Sequence, residues 1–392
     1  MPVYKSLYLL GLGFSCLYLG ACSTTPAQVN TNIAVLPYSA LLESANATTP
    51  TVDDIFQLSA SQQAEFLAYF NAPAHQDVAA HRRVYQFLAQ HLSGFDYQGK
   101  NYTATEAYAL KSGNCISLAV LTKALADLAG VEIEFQSIIS APVLSFERDL
   151  MVSSDHVRTF LYDPDFTAEK DKWHFIKPSI VVDYMPSSAD IAGPRITQQT
   201  FIAMFYRNLA ADALLAEQYD QALALLKNAL QYAPDYSAII NLAAVVHRRM
   251  DEMQLAEQFY QYGLDVSPSK ATLLSNYAVL KRSQGEADIA QEMLLSLLSL
   301  DEYDPYLWYM LGKTAQQKSQ YQEAVTYLYK AAEQAPYMHQ LQLELALAYY
   351  RNNEPGRAQQ VLSKAAELVA DNNTQQRYHA KLEALKLRQS AH

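Results

Sequence analysis

Three side chains in the middle of this chain have the types and order of a nucleophile, a base and an orienting acid: Cys115, His156 and Asp183. Cys115 follows Gly113-Asn114 and opens a run in which Leu118, Leu121, Leu125 and Leu128 recur at helical spacing before Gly130 closes it. The cysteine is therefore expected at a helix N-terminus. Exposed amides and the helix dipole favour a thiolate there, and the same amides can donate to an oxyanion formed when the sulfur attacks a carbonyl. His156 begins a run with Val157, Phe160 and Tyr162 that reads as a strand. Asp183 sits in a second strand-like run, 180–184, ended by Pro186. Thiol, imidazole and carboxylate in this order suit acyl transfer through a thioester. Asp163, followed by Pro164, is the alternative acid, and Gln98, Asn101 and Tyr102 are candidates for a second oxyanion donor. His75, His81 and His91 fall in a helical segment at spacings that make no metal-ligand pair, and read as ordinary helix residues.

Those elements resemble the transglutaminase-like, papain-related superfamily of cysteine enzymes: Gly-Asn-Cys at a helix start, a histidine at a strand, an aspartate in the next strand. The likeness covers about residues 55–195. It implies an α+β domain over 53–200, with Cys115 as nucleophile, His156 as general base and Asp183 orienting the imidazole. Two positions depart from the family's habit: Val157 follows the histidine where an aromatic residue is common nearby, and Tyr184 follows the aspartate where proline is common.

The second half is periodic. Ala222, Ala256, Ala290, Ala324 and Ala358 stand 34 residues apart, as do Ala210, Ala244, Ala278, Gly312 and Ala346. Leu226, Tyr260, Leu294, Leu328 and Leu362 form a third register, and Pro234, Pro268, Glu302, Pro336 and Ala370 a fourth. A pair of antiparallel helices with two turns uses this many positions, with small residues where helices cross and larger apolar residues in the next layer. The pattern resembles the tetratricopeptide repeat and predicts five all-α units over 203–370, followed by a capping helix and tail over 371–392. Leu297 and Glu302 make the third unit the least regular. Such arrays hold a peptide or protein partner on their concave face. Seventeen of the 28 tyrosines lie between 203 and 392, an aromatic supply suited to a peptide groove.

Residues 1–21 carry one basic residue and an apolar stretch too short to span a bilayer, and read as a secretory signal. Leu19-Gly20-Ala21-Cys22 resembles the bacterial lipobox, which implies cleavage before Cys22, lipidation of that residue and a membrane-bound chain. Ser23 after it implies the outer membrane, facing the periplasm. Residues 22–52, rich in Ser, Thr, Ala, Asn and Pro, suit a tether. A net charge of −11 without a Lys/Arg cluster disfavours a nucleic-acid partner. Glycine is scarce, at 12 residues, and no phosphate-binding loop string occurs. Three cysteines make neither a disulfide framework nor a cysteine-ligated zinc site, so no cofactor or metal is expected. The expected function is a lipid-anchored exported cysteine acyl-transfer enzyme with a repeat domain for protein binding. The alternative is an inactive transglutaminase-like and tetratricopeptide scaffold in an envelope complex.

Overall fold

The structure, a computed structural model, describes residues 34–97, 100–139, 144–147, 150–153, 156–167, 177–184, 191–296, 305–369 and 371–390. The expected signal, Cys22 and the first part of the expected tether lie outside them. Helices α1 (Ala40–Ser44), α2 (Val52–Phe56), α3 (Ala60–Phe70), α4 (Ala80–His91) and α5 (Ala104–Leu110) lead to α6 (Cys115–Leu128). Caps define these helices locally: Thr51, Ser59 and Thr103 each form a capping box with the residue three positions on. Every residue of α6 from Cys115 to Ala126 is buried. A helix apolar on all sides has to be enclosed, and α2, α3, α4 and α5 pack around it.

The remaining side of α6 is covered by a sheet. Strands β1 (Ile133–Ile139), β2 (Leu144–Glu147), β3 (Leu150–Ser153), β4 (His156–Tyr162), β5 (Ser179–Asp183) and β6 (Ile191–Ile196) form a four-stranded antiparallel sheet of order β5-β4-β1-β6 and a separate β2-β3 hairpin. In β4, Val157, Thr159 and Leu161 are all buried, and the strand packs on α6. Side chains alternate across a strand, so β4 presents two distinct faces. Arg158 pairs with Asp183 in the register, which sets His156, Arg158 and Asp183 on the same face.

The periodic half forms helix pairs. These are α7 (Gln198–Leu215) with α8 (Tyr219–Tyr232), α9 (Ser237–Arg249) with α10 (Met253–Val266), α11 (Ala271–Ser283) with α12 (Ala287–Ser296), α13 (Pro305–Gln317) with α14 (Tyr321–Gln334), and α15 (His339–Arg351) with α16 (Pro355–Glu367). A last helix, α17 (Asn372–Ser390), packs on α16. The alanines at 222, 256, 290, 324 and 358 are fully buried at the crossings. At Gly312 an added Cβ would collide with Leu328 of the paired helix, so this crossing is closer than one that accepts alanine. Leu297 and Glu302, the irregular positions of the third unit, lie outside the described residues.

A fifth register emerges only in three dimensions. Glu217, Asp251, Gly285, Ser319 and Asn353 all have left-handed backbone, with φ of 60°, 66°, 85°, 59° and 61°. Each follows the first helix of its pair and closes it with two hydrogen bonds. In the first unit Glu217 N donates to Leu214 O at 3.0 Å and Gln218 N donates to Ala213 O at 2.8 Å. The same double closure recurs at Asp251/Glu252, Gly285/Glu286, Ser319/Gln320 and Asn353/Glu354. This is the Schellman ending, which satisfies the last carbonyls of a helix.

Residues 39–50, read from composition as tether, run along the first helix pairs. Ser39 Oγ lies 2.8 Å from Nε2 of the buried His247, and Lys227 Nζ approaches the Glu43 carboxylate at 3.2 Å. Asn228 donates to Thr49 Oγ1, Gln221 to the Thr48 carbonyl, and Tyr206 Oη to the Pro50 carbonyl. Two of these five contacts use backbone carbonyls, which composition does not advertise.

The tyrosines divide differently from the expected groove. Tyr260, Tyr277, Tyr306 and Tyr349 are buried between helices, while Tyr309, Tyr327 and Tyr350 pack against those cores. Among the described tyrosines of the array, Tyr329 and Tyr337 are exposed. The apolar ring rather than the polar tip has set the position of the others.

Candidate functional site

The turn before Cys115 is built by its own short-range bonds. Gly113 has φ of 145°, and a Cβ there would meet Ser117 Cβ at 2.7 Å, so the position needs glycine on both counts. Its amide donates to the Asp96 carbonyl at 3.1 Å, and the Asn114 amide donates to the Lys100 carbonyl at 3.0 Å. Asn114 caps α6: its Oδ1 accepts from Ser117 N at 2.9 Å. Cys115 thus occupies the first helical position, 3% exposed.

His156 and Asp183 meet. Nε2 of His156 lies 3.1 Å from Asp183 Oδ1, with both residues on adjacent strands of the sheet. The other acid goes elsewhere: Asp163 Oδ1 faces Nδ1 of His81 at 3.6 Å. His81 is buried in α4, and burial holds its pKa below the ordinary histidine value despite the nearby carboxylate. Of the two acids open in the sequence, Asp183 is the one at His156. His81, read as an ordinary helix residue, is buried against Asp163, which helical spacing alone did not reveal.

The helix of Cys115 and the strands of His156 and Asp183 are joined by a chain of hydroxyls. Tyr184 Oη donates to Thr122 Oγ1 on α6 at 2.8 Å and lies 2.8 Å from Thr159 Oγ1 on β4. Thr122 Oγ1 in turn donates to the Leu118 carbonyl at 2.7 Å. Burial pushes the Tyr184 phenol pKa up. The hydrogen bonds with Thr122 and Thr159 oppose that shift, and negative charge at Cys115 and Asp183 adds to it. Tyr184 therefore lies within electrostatic reach of both Cys115 and Asp183.

The oxyanion-donor candidates have other engagements. Asn101 Nδ2 donates to the Phe205 carbonyl at 3.1 Å, tying the segment before α5 to α7. The Tyr102 amide donates to Ser117 Oγ at 2.7 Å. Gln98 lies outside the described residues. Among the described residues no group of three or more His, Cys, Asp or Glu side chains is placed to hold a metal ion, and no helix is long and apolar enough to cross a membrane.

With the helix pairs in view, residues 305–337 match the tetratricopeptide repeat family model. This segment is a tetratricopeptide repeat. It comprises α13, α14 and the following turn, the unit that contains Gly312 and Pro336. No curated protein matches the chain. Solved structures are similar over part of the chain. PilF of Pseudomonas aeruginosa is 22% identical, with 50% of this chain and 88% of that one aligned at a TM-score of 0.41. YrrB, described as a TPR protein with an unusual peptide-binding site, is 19% identical over 46% of this chain and 91% of its own, at 0.32. The type III secretion translocator chaperone SycD of Yersinia enterocolitica is 24% identical over 31% of this chain and 86% of its own, at 0.29.

Proposed function

We propose that the chain is an exported, lipid-anchored cysteine acyl-transfer enzyme whose transglutaminase-like region works on a protein or peptide amide and whose repeats hold a protein partner. The observation that carries this reading is the His156–Asp183 hydrogen bond, with His156 opening β4, the strand that packs on the helix that Cys115 opens. With Nε2 engaged by Asp183, Nδ1 is the nitrogen that exchanges a proton with sulfur. The Cys115 proton passes to Nδ1, sulfur bonds to the amide carbonyl carbon, and the carbonyl oxygen takes the electron pair. Collapse breaks the C–N bond, and the imidazolium gives its proton to the leaving amine. Water or a second amine then releases the acyl group from the thioester.

An electrophilic peptide probe, such as a peptidyl vinyl sulfone, tests this on the full chain. Mass spectrometry should find the adduct on Cys115, and the His156→Ala variant should lose it. Absence of adduct on Cys115 across a panel of such probes would count against the enzyme. The burial of Cys115 favours a second reading, an inactive scaffold in the envelope. In that case Cys115→Ala retains the cellular phenotype and deletion of 203–370 abolishes it. Lipid anchoring rests on Leu19-Gly20-Ala21-Cys22. Cys22→Ser should abolish labelling with radioactive palmitate and move the protein to the soluble fraction; retained labelling would refute the anchor.

A further inference from the structure

We propose that Tyr184 is a positioning residue for the candidate site, holding the helix of Cys115 against the strands of His156 and Asp183 through one directed chain of hydroxyl hydrogen bonds. This rests on the reading of Cys115, His156 and Asp183 as a working site. The direction of the chain follows from proton counting. Thr122 Oγ1 spends its only proton on the Leu118 carbonyl, so it accepts from Tyr184. Tyr184 spends its only proton on Thr122, so it accepts from Thr159. The chain therefore runs Thr159 to Tyr184 to Thr122 to the backbone of α6. It crosses from β4, through the residue after β5, to the helix.

Three features make this more than an ordinary core contact. The tyrosine is covalently next to Asp183, so its ring fixes the backbone that carries the acid. Thr159 lies three residues beyond His156 on β4, so the same bond fixes the strand that carries the base. Thr122 and Thr159 are fully buried, and Tyr184 is 6% exposed, so no water substitutes for a lost partner. A packed aliphatic residue would fill the space without orienting the three elements; hydroxyls with fixed donor and acceptor roles accept one arrangement only.

The test is the rate of iodoacetamide alkylation of Cys115 against pH in the full chain, followed by peptide mass spectrometry and run well below the melting temperature. Tyr184→Phe keeps the ring and removes the link. It is expected to slow alkylation at pH 7 about tenfold and to move the profile towards that of an unperturbed thiol, as loosening of a catalytic geometry does. Thr159→Val is expected to do the same, and the double variant to be no worse than either single one. A purely structural hydroxyl would lower the melting temperature and leave the profile where it was; that result overturns the inference. A wild-type rate that is indifferent to His156→Ala overturns instead the site reading on which the inference rests. A wild-type rate that depends on His156 but is unchanged in Tyr184→Phe overturns the role of Tyr184 alone.

Discussion

Asn114 and Gly113 show how the turn that leads into Cys115 is prepared by its neighbours. Removing the cap with Asn114→Ala should cost about 1 kcal/mol in chemical denaturation, since Ser117 N loses its partner at the start of α6. Gly113→Ala should cost more, because φ of 145° and the contact with Ser117 oppose any side chain. A melt of Gly113→Ala indistinguishable from wild type would refute this picture of the turn. The glycine turn and the helix start at Cys115 were legible because glycine and the apolar spacing after it act locally, whereas the Asn114 cap came from the structure. The choice between Asp163 and Asp183 was not legible. It depends on which strands pair and in what register, and the pairing of Arg158 with Asp183 decides it. The His81–Asp163 contact escaped for the same reason, as it joins a helix to the end of a strand across 82 residues of chain.

The 34-residue period was readable where packing restricts side-chain volume, at the buried alanines and the large residues beside them. The left-handed register was not, because its residues are Glu217, Asp251, Gly285, Ser319 and Asn353, which share a backbone conformation and no side-chain character. Four of these five positions hold a residue that pays for left-handed φ, and only Gly285 does so freely. Glu217→Gly and Ser319→Gly should each raise stability by about 0.5–1 kcal/mol, and Gly285→Ala should lower it by a similar amount. Gly312→Ala should destabilise by about 1–2 kcal/mol through overpacking against Leu328, against the helix-forming advantage of alanine. Urea titrations of the full chain check all four. If Glu217→Gly proves neutral or destabilising, the φ cost assigned to this register is wrong.

The repeat array and the segment before it act together through His247. Its Nδ1 lies 2.7 Å from the Ala243 carbonyl and so donates, leaving Nε2 to accept from Ser39 Oγ. Both bonds suit the neutral ring. Burial holds the pKa of His247 down, as it does for His81, His91 and His339. The unfolded chain takes up protons near the ordinary value of 6.5 while these folded sites resist them. Stability should therefore fall as pH drops through 6.5 and recover above it. Thermal melts at pH 5.5 and 7.5 should show the lower midpoint at pH 5.5, and limited proteolysis should cut residues 39–50 more readily there. Equal protection of this segment at both pH values would separate it from His247. Its docking was hidden in a sequence that reads as linker, because its small polar side chains and backbone carbonyls find partners 156 to 208 residues away in the chain.

The contacts around Cys115 bear on function only if that thiol is reactive. The direct measurement is the iodoacetamide rate at Cys115 against pH in the wild-type chain and in His156→Ala. The expected wild-type profile is already near its plateau at pH 7, and His156→Ala should return it towards an ordinary thiol near 8.5. A wild-type profile that rises only above about pH 8, unchanged by His156→Ala, would contradict the cysteine site.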